Sequence, residues 1–214
     1  MIRSETYFNI IKSFFDLFLA ILLIIFLLPL FLTISIIIFL EDGLPIVFKQ
    51  KRIGLGGKLF TIYKFRSMKN NCELEGNKYY CYEGDKRITK VGFFLRKFSL
   101  DELPQLFNII KHEMSFVGPR PAIHDEFKYE NIEDNLYKII ELRNKVLPGI
   151  TGYAQVKSRN DLDWNQKLRL DFIYLNMSPK ERCIADISII LSTFFEILYS
   201  KGEYDKRLNK QWIN

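Results

Sequence analysis

Two adjacent carboxylates, Asp101 and Glu102, stand in the run Ser99-Leu100-Asp101-Glu102-Leu103-Pro104-Gln105. Ser99 and Glu102 have the spacing of a capping box opening a helix through Leu106, Ile109 and Ile110. Pro104 belongs in a first turn, which also permits a start at Asp101, with that carboxylate as the cap. In either register Asp101 lies at a helix N-terminus, where the dipole and free amides favour its ionised form. An ionised, positioned carboxylate can act as a nucleophile or a magnesium ligand. The same spacing also fits a plain helix start.

Phosphate-binding chemistry is dense around this pair. Gly118-Pro119-Arg120-Pro121 holds one arginine between two prolines, which cuts the entropy lost when its fork grips phosphate. Arg96 precedes Asp101, and Lys64 and Arg66 flank Phe65. The turn cluster Pro148-Gly149-Ile150-Thr151-Gly152 is followed by Ala154-Gln155-Val156 and by Arg159-Asn160. Taken singly, each arginine also fits a solvated or salt-bridging role. There is no P-loop lysine motif and no G-x-G-x-x-G, and Gly54-x-x-Gly57 is too weak to count alone. His112 and His124 lack metal-like spacing and read as surface residues. Three cysteines, Cys72, Cys81 and Cys183, without C-x-x-C spacing, point to neither a disulfide framework nor a zinc site.

The elements that must position these residues begin with a membrane segment. From Leu17 to Leu40 there are 24 residues without a charge, roughly 36 Å of helix against a hydrocarbon core of about 30 Å. Pro29 sits in its middle, removing a backbone hydrogen bond and opposing a straight helix. Two topologies follow, a kinked spanning helix or a re-entrant hairpin. Arg3 and Lys12 before the run and Lys49, Lys51 and Arg52 after it put positive charge at both ends, which leans toward the hairpin. The rest of the 214-residue chain allows about one domain. From Lys49 to Lys69 it carries seven Lys/Arg and no acid. The formal charge of +6 suits an anionic partner such as nucleotide or phospholipid. With a membrane segment attached, nucleic acid is not the expected partner.

Leu59–Phe65 reads as a strand from its aromatic and β-branched residues, and residues 70–86 as a surface loop. A helix is expected between Ile132 and Val146, ended by Pro148-Gly149. Another is expected from Ile184 to Tyr199, with Ile187, Ile190, Leu191, Phe194, Phe195 and Leu198 on one face. That face fits a core helix better than a membrane-surface helix. The tail after Lys201 is polar. The expected architecture is α+β and mostly helical, with a membrane-embedded segment at 1–42, a catalytic domain at 43–200 and a polar tail at 201–214.

Taken in order, three blocks resemble the bacterial sugar transferase family, the monotopic phosphoglycosyl transferases: KQKRIGLGGKLFTIYKFRSM (49–68), SLDELPQLFNIIKHEMSFVGPRP (99–121), and PGITGYAQV with the following RN (148–160). The length resembles that of the small class. The resemblance implies a membrane enzyme that moves a phosphosugar from a UDP-sugar to a polyprenol phosphate such as undecaprenyl phosphate, releasing UMP. It implies that Asp101 and Glu102 form the catalytic dyad, that Mg2+ binds at Asp101, and that the transfer passes through an aspartyl-phosphosugar. By the same resemblance Lys64, Arg96, Arg120 and Arg159 surround the diphosphate. Pro29 falls on the family's helix-breaking proline, which favours the re-entrant hairpin and places the catalytic body, with amphipathic interfacial helices, on the cytoplasmic face of a bacterial inner membrane.

The chain departs from the family pattern in several places. Leu28 replaces a frequent serine, His112 a usual glycine, Leu147 a frequent arginine, and Lys157-Ser158 a common Asn-Gly. Two rival functions remain open at this stage. One is a membrane-anchored glycosyltransferase that moves the sugar alone and releases UDP, and the other is a non-catalytic adaptor binding anionic lipid. No residue pattern fixes the sugar, the glycan pathway or the oligomeric state.

Overall fold

The apolar run lies within one helix, α1 (Ile2–Asp42), of 41 residues, in a computed structural model that describes residues 2–69, 85–124, 126–128, 130–157 and 162–199. It is long and apolar enough to cross a membrane, with a mean hydropathy of 3.2 in its most apolar window. Pro29 does not interrupt it; helical residues continue across the position where a break was expected. Loss of one N–H is tolerable in a helix otherwise fully bonded along its length. The hydroxyls inside the run are spent on its own backbone, Thr33 donating to the Pro29 carbonyl (2.9 Å) and Ser35 to that of Phe31 (2.7 Å).

One face of α1 packs on the rest of the chain over nearly its whole length. Lys12 pairs with Asp186, and the Arg182 guanidinium lies over the Phe8 ring. Ala20, fully buried, and Leu23 and Ile24 join a core cluster with Phe60, Ile62, Leu106, Ile109 and Met114. Further along, Phe31 meets Phe65 and Phe107, and Ile34 and Ile38 pack with Phe65 and Leu95. At its end the Glu41 carboxylate accepts from the amides of Lys90 (2.8 Å) and Val91 (3.1 Å), and Asp42 pairs with Arg66 at 3.0 Å. The opposite face, with Phe14, Ile25, Phe26 and Leu40, is exposed.

Next comes an antiparallel hairpin, β1 (Val47–Ile53) with β2 (Leu59–Phe65), in which Phe48 faces Lys64 and Lys51 faces Thr61. The second strand matches the expected segment. The turn requires positive φ at Gly56 (68°) and Gly57 (72°), which glycine adopts without a Cβ penalty.

A helix not expected from the sequence, α2 (Lys90–Lys97), is capped by the Thr89 hydroxyl, which accepts from the Gly92 amide at 2.8 Å. It leads through a 3-10 helix (Leu100–Gln105) into the short α3 (Leu106–Ile110). Then β3 (Ser115–Val117) pairs in parallel with β4 (Gly149–Thr151). Between them runs α4 (Tyr137–Arg143), shorter than the helix expected over 132–146 because a 3-10 turn (Asp134–Leu136) precedes it.

After β4 come α5 (Tyr153–Lys157) and α6 (Trp164–Leu175). The latter opens on a capping box between Asp163 and Gln166 that the sequence reading missed. The last described helix, α7 (Pro179–Leu198), starts earlier than expected, at a Ser178/Glu181 capping box with Pro179 in its first turn. Its apolar stripe overturns the core-helix expectation. Ile187, Leu191, Phe194, Phe195 and Leu198 are all more than half exposed, whereas Arg182, Asp186 and Ile189 are buried. A helix with charge inside and large apolar side chains outside is inverted relative to a water-soluble one. The architecture is mostly helical α+β, and the long apolar helix α1 shares a core with the body.

Candidate active site

The carboxylate pair lies on the 3-10 helix, which packs against β2. The expected capping box is absent there. Ser99 is left-handed (φ 54°, ψ 23°) and makes no side-chain cap bond. Its carbonyl instead accepts from the Glu102 amide at 3.3 Å. A serine in this region is strained, and strain of this kind persists only where the surroundings enforce it.

Lys64, on β2, donates to Glu102 Oε1 at 2.5 Å, and the Arg120 guanidinium approaches the same oxygen at 3.7 Å. Three residues expected at the site are therefore adjacent. Asp101 is their neighbour in sequence but lies deeper, 1% exposed, while Arg120 is 34% exposed at its side chain. Arg96 lies in the last turn of α2 and lines none of the described cavities. Arg159 lies outside the described residues. Arg66, flanking Phe65 on the other side from Lys64, is buried against Asp42 and the carbonyls of Asp42 and Gly43.

The Arg120 segment is positioned by the two motifs that sequence alone left unconnected. The β3–β4 pairing brings Gly118 and Gly149 into backbone contact, with Gly118 N–H donating to Thr151 O and Gly149 N–H to Pro119 O, each at 3.0 Å. A Cβ on Gly149 would lie 2.1 Å from Gly118 N, and one on Gly152 would lie 2.2 Å from Gly118 O. Only glycine allows this approach. Arg52 donates to the Pro121 carbonyl (2.9 Å) and Arg143 to the Arg120 carbonyl (2.5 Å).

Arg143 was not singled out from the sequence. Its guanidinium is buried, paired with Asp171 at 2.9 Å and stacked over the Trp164 and Phe127 rings. Burial pushes the Asp171 carboxyl up to about 6, against the opposing pull of Arg143 and Lys167. The two residues come from α4 and α6, so no local spacing marks them. The missed Asp163/Gln166 box was the one available sign of α6.

A cavity of about 240 Å³ opens beside Glu102. Glu102 and Arg120 line it, with Ile150, Thr151 and Gln155 from the β4–α5 segment. Its apolar wall includes Leu23 and Leu27 of α1 and Ile197 of α7. A smaller pocket shares Glu102 and Arg120 and adds Arg52, Lys64 and Gln105.

Among the described residues no group of three or more His, Cys, Asp or Glu could hold a metal by itself. His112 and His124 are exposed, as expected of surface residues, and Cys183 is a free exposed thiol. One or two carboxylates completed by a diphosphate are a donor set that suits Mg2+, which usually keeps substrate and water ligands. The residues present fit that ion in this form. Lys64 and Arg120 both approach Glu102 Oε1, and Asp101 is the second carboxylate of the pair.

The profile of bacterial sugar transferases matches residues 7–200. The chain belongs to the bacterial sugar transferase family. It is an enzyme, of the phosphoglycosyl transferase kind. EpsL of Bacillus subtilis (strain 168), an uncharacterized sugar transferase, is 39% identical over 194 residues, covering 90% of both chains. The undecaprenyl-phosphate galactose phosphotransferase of Salmonella typhimurium is 36% identical over 208 residues, covering 91% of this chain and 42% of its own. The UDP-glucose:undecaprenyl-phosphate glucose-1-phosphate transferase of Escherichia coli (strain K12) is 37% identical over 203 residues, covering 92% and 42%. The transferase therefore spans less than half the length of these last two relatives.

Proposed function

We propose that the enzyme transfers a phosphosugar from a UDP-sugar to a polyprenol phosphate, undecaprenyl phosphate in a bacterial inner membrane, and releases UMP. The observation that carries this reading is the cavity itself, which joins a cation-flanked carboxylate to a wall built by the membrane helix. A lipid phosphate needs such a place, with its head among charges and its tail against apolar side chains.

In this reading an Asp101 carboxylate oxygen attacks the β-phosphorus. The bond from that phosphorus to the bridging oxygen breaks, and UMP leaves with the oxygen. The lipid phosphate then attacks the same phosphorus, breaks its bond to Asp101 and restores the carboxylate. Arg120 and Lys64 hold phosphoryl oxygens as charge shifts between them, with Arg96 and Arg159 as further cations. Glu102 keeps Lys64 and Arg120 in place and stands ready to position or deprotonate the acceptor. Mg2+, when bound at Asp101, supplies charge neutralisation for the diphosphate and the leaving group. The depth of Asp101 shields an aspartyl-phosphosugar from water.

Both ends of α1 touch the same body, through Lys12 with Asp186 and through Glu41 with α2. This favours a re-entrant anchor over a spanning one, with the body on the cytoplasmic face and the apolar stripe of α7 in the interface. Incubation with UDP-sugar and Mg2+ but no acceptor should leave a phosphosugar adduct on the intact protein by mass, with a UMP burst of at most one equivalent. Asp101→Asn should lose adduct and turnover together. Release of UDP instead of UMP would identify a transferase of the sugar alone.

A further inference from the structure

One polar atom beside the large cavity has no partner among the described residues. It belongs to Gln155 on α5, whose side chain lines the cavity together with Glu102 and Arg120. The amide Nε2 of Gln155 donates to the Ile150 carbonyl at 2.9 Å. A carbonyl can only accept, so this bond fixes which end of the amide is nitrogen. The other end, Oε1, is buried and makes no hydrogen bond. Room for it is provided by Gly152, where a Cβ would stand 2.5 Å from that oxygen.

Polar neighbours on the same wall are already matched. The hydroxyls of Thr151 and Thr193 bond each other at 2.7 Å, and Glu102 is held by Lys64 and Arg120. A buried acceptor left without a donor is unfavourable, and in a native cavity it marks where a ligand donor belongs. Ionised phosphoryl oxygens carry no proton, so this acceptor cannot bind the diphosphate. The cavity is thus chemically divided, with cations at one place for phosphate and an amide oxygen at another for a hydroxyl or N–H.

We propose that Gln155 is a specificity-determining residue whose Oε1 accepts a hydrogen bond from a hydroxyl or N–H of the bound nucleotide sugar. This rests on the cavity being the UDP-sugar site.

The test uses the full chain in detergent or nanodiscs, with UMP release as readout. The substrates are the UDP-sugar that the wild type turns over fastest and its monodeoxy analogues. Gln155→Met, close in size but lacking the acceptor, should lower kcat/KM for the parent sugar by about 10- to 100-fold. The one analogue lacking the recognised hydroxyl should be used equally by wild type and variant. Uniform loss on every sugar, with UMP binding weakened by the same factor, would place the donor on the nucleotide and still support the assignment. Wild-type kcat/KM on the parent sugar would overturn it, leaving Oε1 to water alone. Uniform loss with unchanged UMP binding would overturn it too, as a purely structural effect. Gln155→Asn, which retracts the oxygen by one methylene, gives the same reading should the methionine variant not fold. A wild type that releases no UMP from any UDP-sugar would sink the proposed reaction rather than this residue's role.

Discussion

Arg143 and Asp171 meet at 2.9 Å with both side chains nearly sealed from solvent, and Arg143 passes the constraint on to the backbone carbonyl of Arg120. A buried pair of this kind holds geometry more than it adds stability, and removing one partner strands the other charge. Arg143→Met should therefore cost about 3–5 kcal/mol in chemical denaturation and also lower turnover, because the Arg120 loop loses its brace. Unchanged stability would show that the ion pair is not buried in solution.

The Asp171 carboxyl, pushed up to about 6 by burial, makes a pH-dependent statement. Its folded value lies above the unfolded one, so the folded chain holds that proton more tightly. This group's contribution to stability is therefore fully present below the unfolded value and is lost as pH rises to about 6. Activity should run the other way. Protonation below about pH 6 discharges the partner of Arg143, so kcat should fall on the acid side with an apparent midpoint near that value. Asp171→Asn should lack this acid limb and stay low throughout, and a wild-type pH profile in that variant would refute the coupling.

Arg120 offers a test of geometry against charge. Its fork reaches Glu102 at 3.7 Å from a loop clamped by Arg52 and Arg143. Arg120→Lys keeps the charge but not two parallel N–H groups, and turnover should drop about 10²- to 10³-fold, the cost of losing one oriented donor. Full UMP release by the lysine variant would mean that charge alone suffices.

His112 explains one departure from the family pattern. It stands where glycine is usual, and its φ is 58°. A left-handed L-residue costs roughly 1–2 kcal/mol, partly offset by the extra chain entropy that glycine loses on folding, about 0.5–1 kcal/mol. His112→Gly should thus raise Tm by a few degrees, and His112→Val should lower it, in thermal unfolding of the purified protein. A lower Tm for the glycine variant would show that the imidazole makes contacts worth more than the strain.

For topology, cysteines introduced at Tyr7 and at Lys90, both exposed, should label from the cytoplasmic side only. Labelling of the first from the opposite side would establish a spanning helix. Replacing Pro29 by Leu removes a helix-interior cost of about 3 kcal/mol and should shift part of the population toward that straight form. An unchanged labelling pattern would assign the fold of α1 to the Lys12–Asp186 and Glu41 contacts instead.

Local chemistry made part of this molecule legible in one dimension. Twenty-four uncharged residues mark a helix long and apolar enough to cross a membrane, Leu59–Phe65 could be read as a strand from side-chain shape, and the blocks around Asp101, Arg120 and Gly149 carried the family resemblance. What spacing could not supply was which basic residues face the carboxylates. Lys64 and Arg66 are alternate residues of one basic stretch, yet one meets Glu102 and the other is consumed by Asp42. That choice belongs to the register of β1 with β2 and to the end of α1, which are long-range facts. Arg143 and Asp171 were invisible as site residues for the same reason, since each takes its role from a partner on a separate element, whereas Gln155 stood in a recognised motif and only its place on the cavity wall was hidden. The stripe on α7 was read correctly as a face, but its direction was decided by tertiary structure. Periodicity reports that two sides of a helix differ; only packing, here the Lys12–Asp186 pair drawing the charged side inward, determines which side meets the body and which is left exposed.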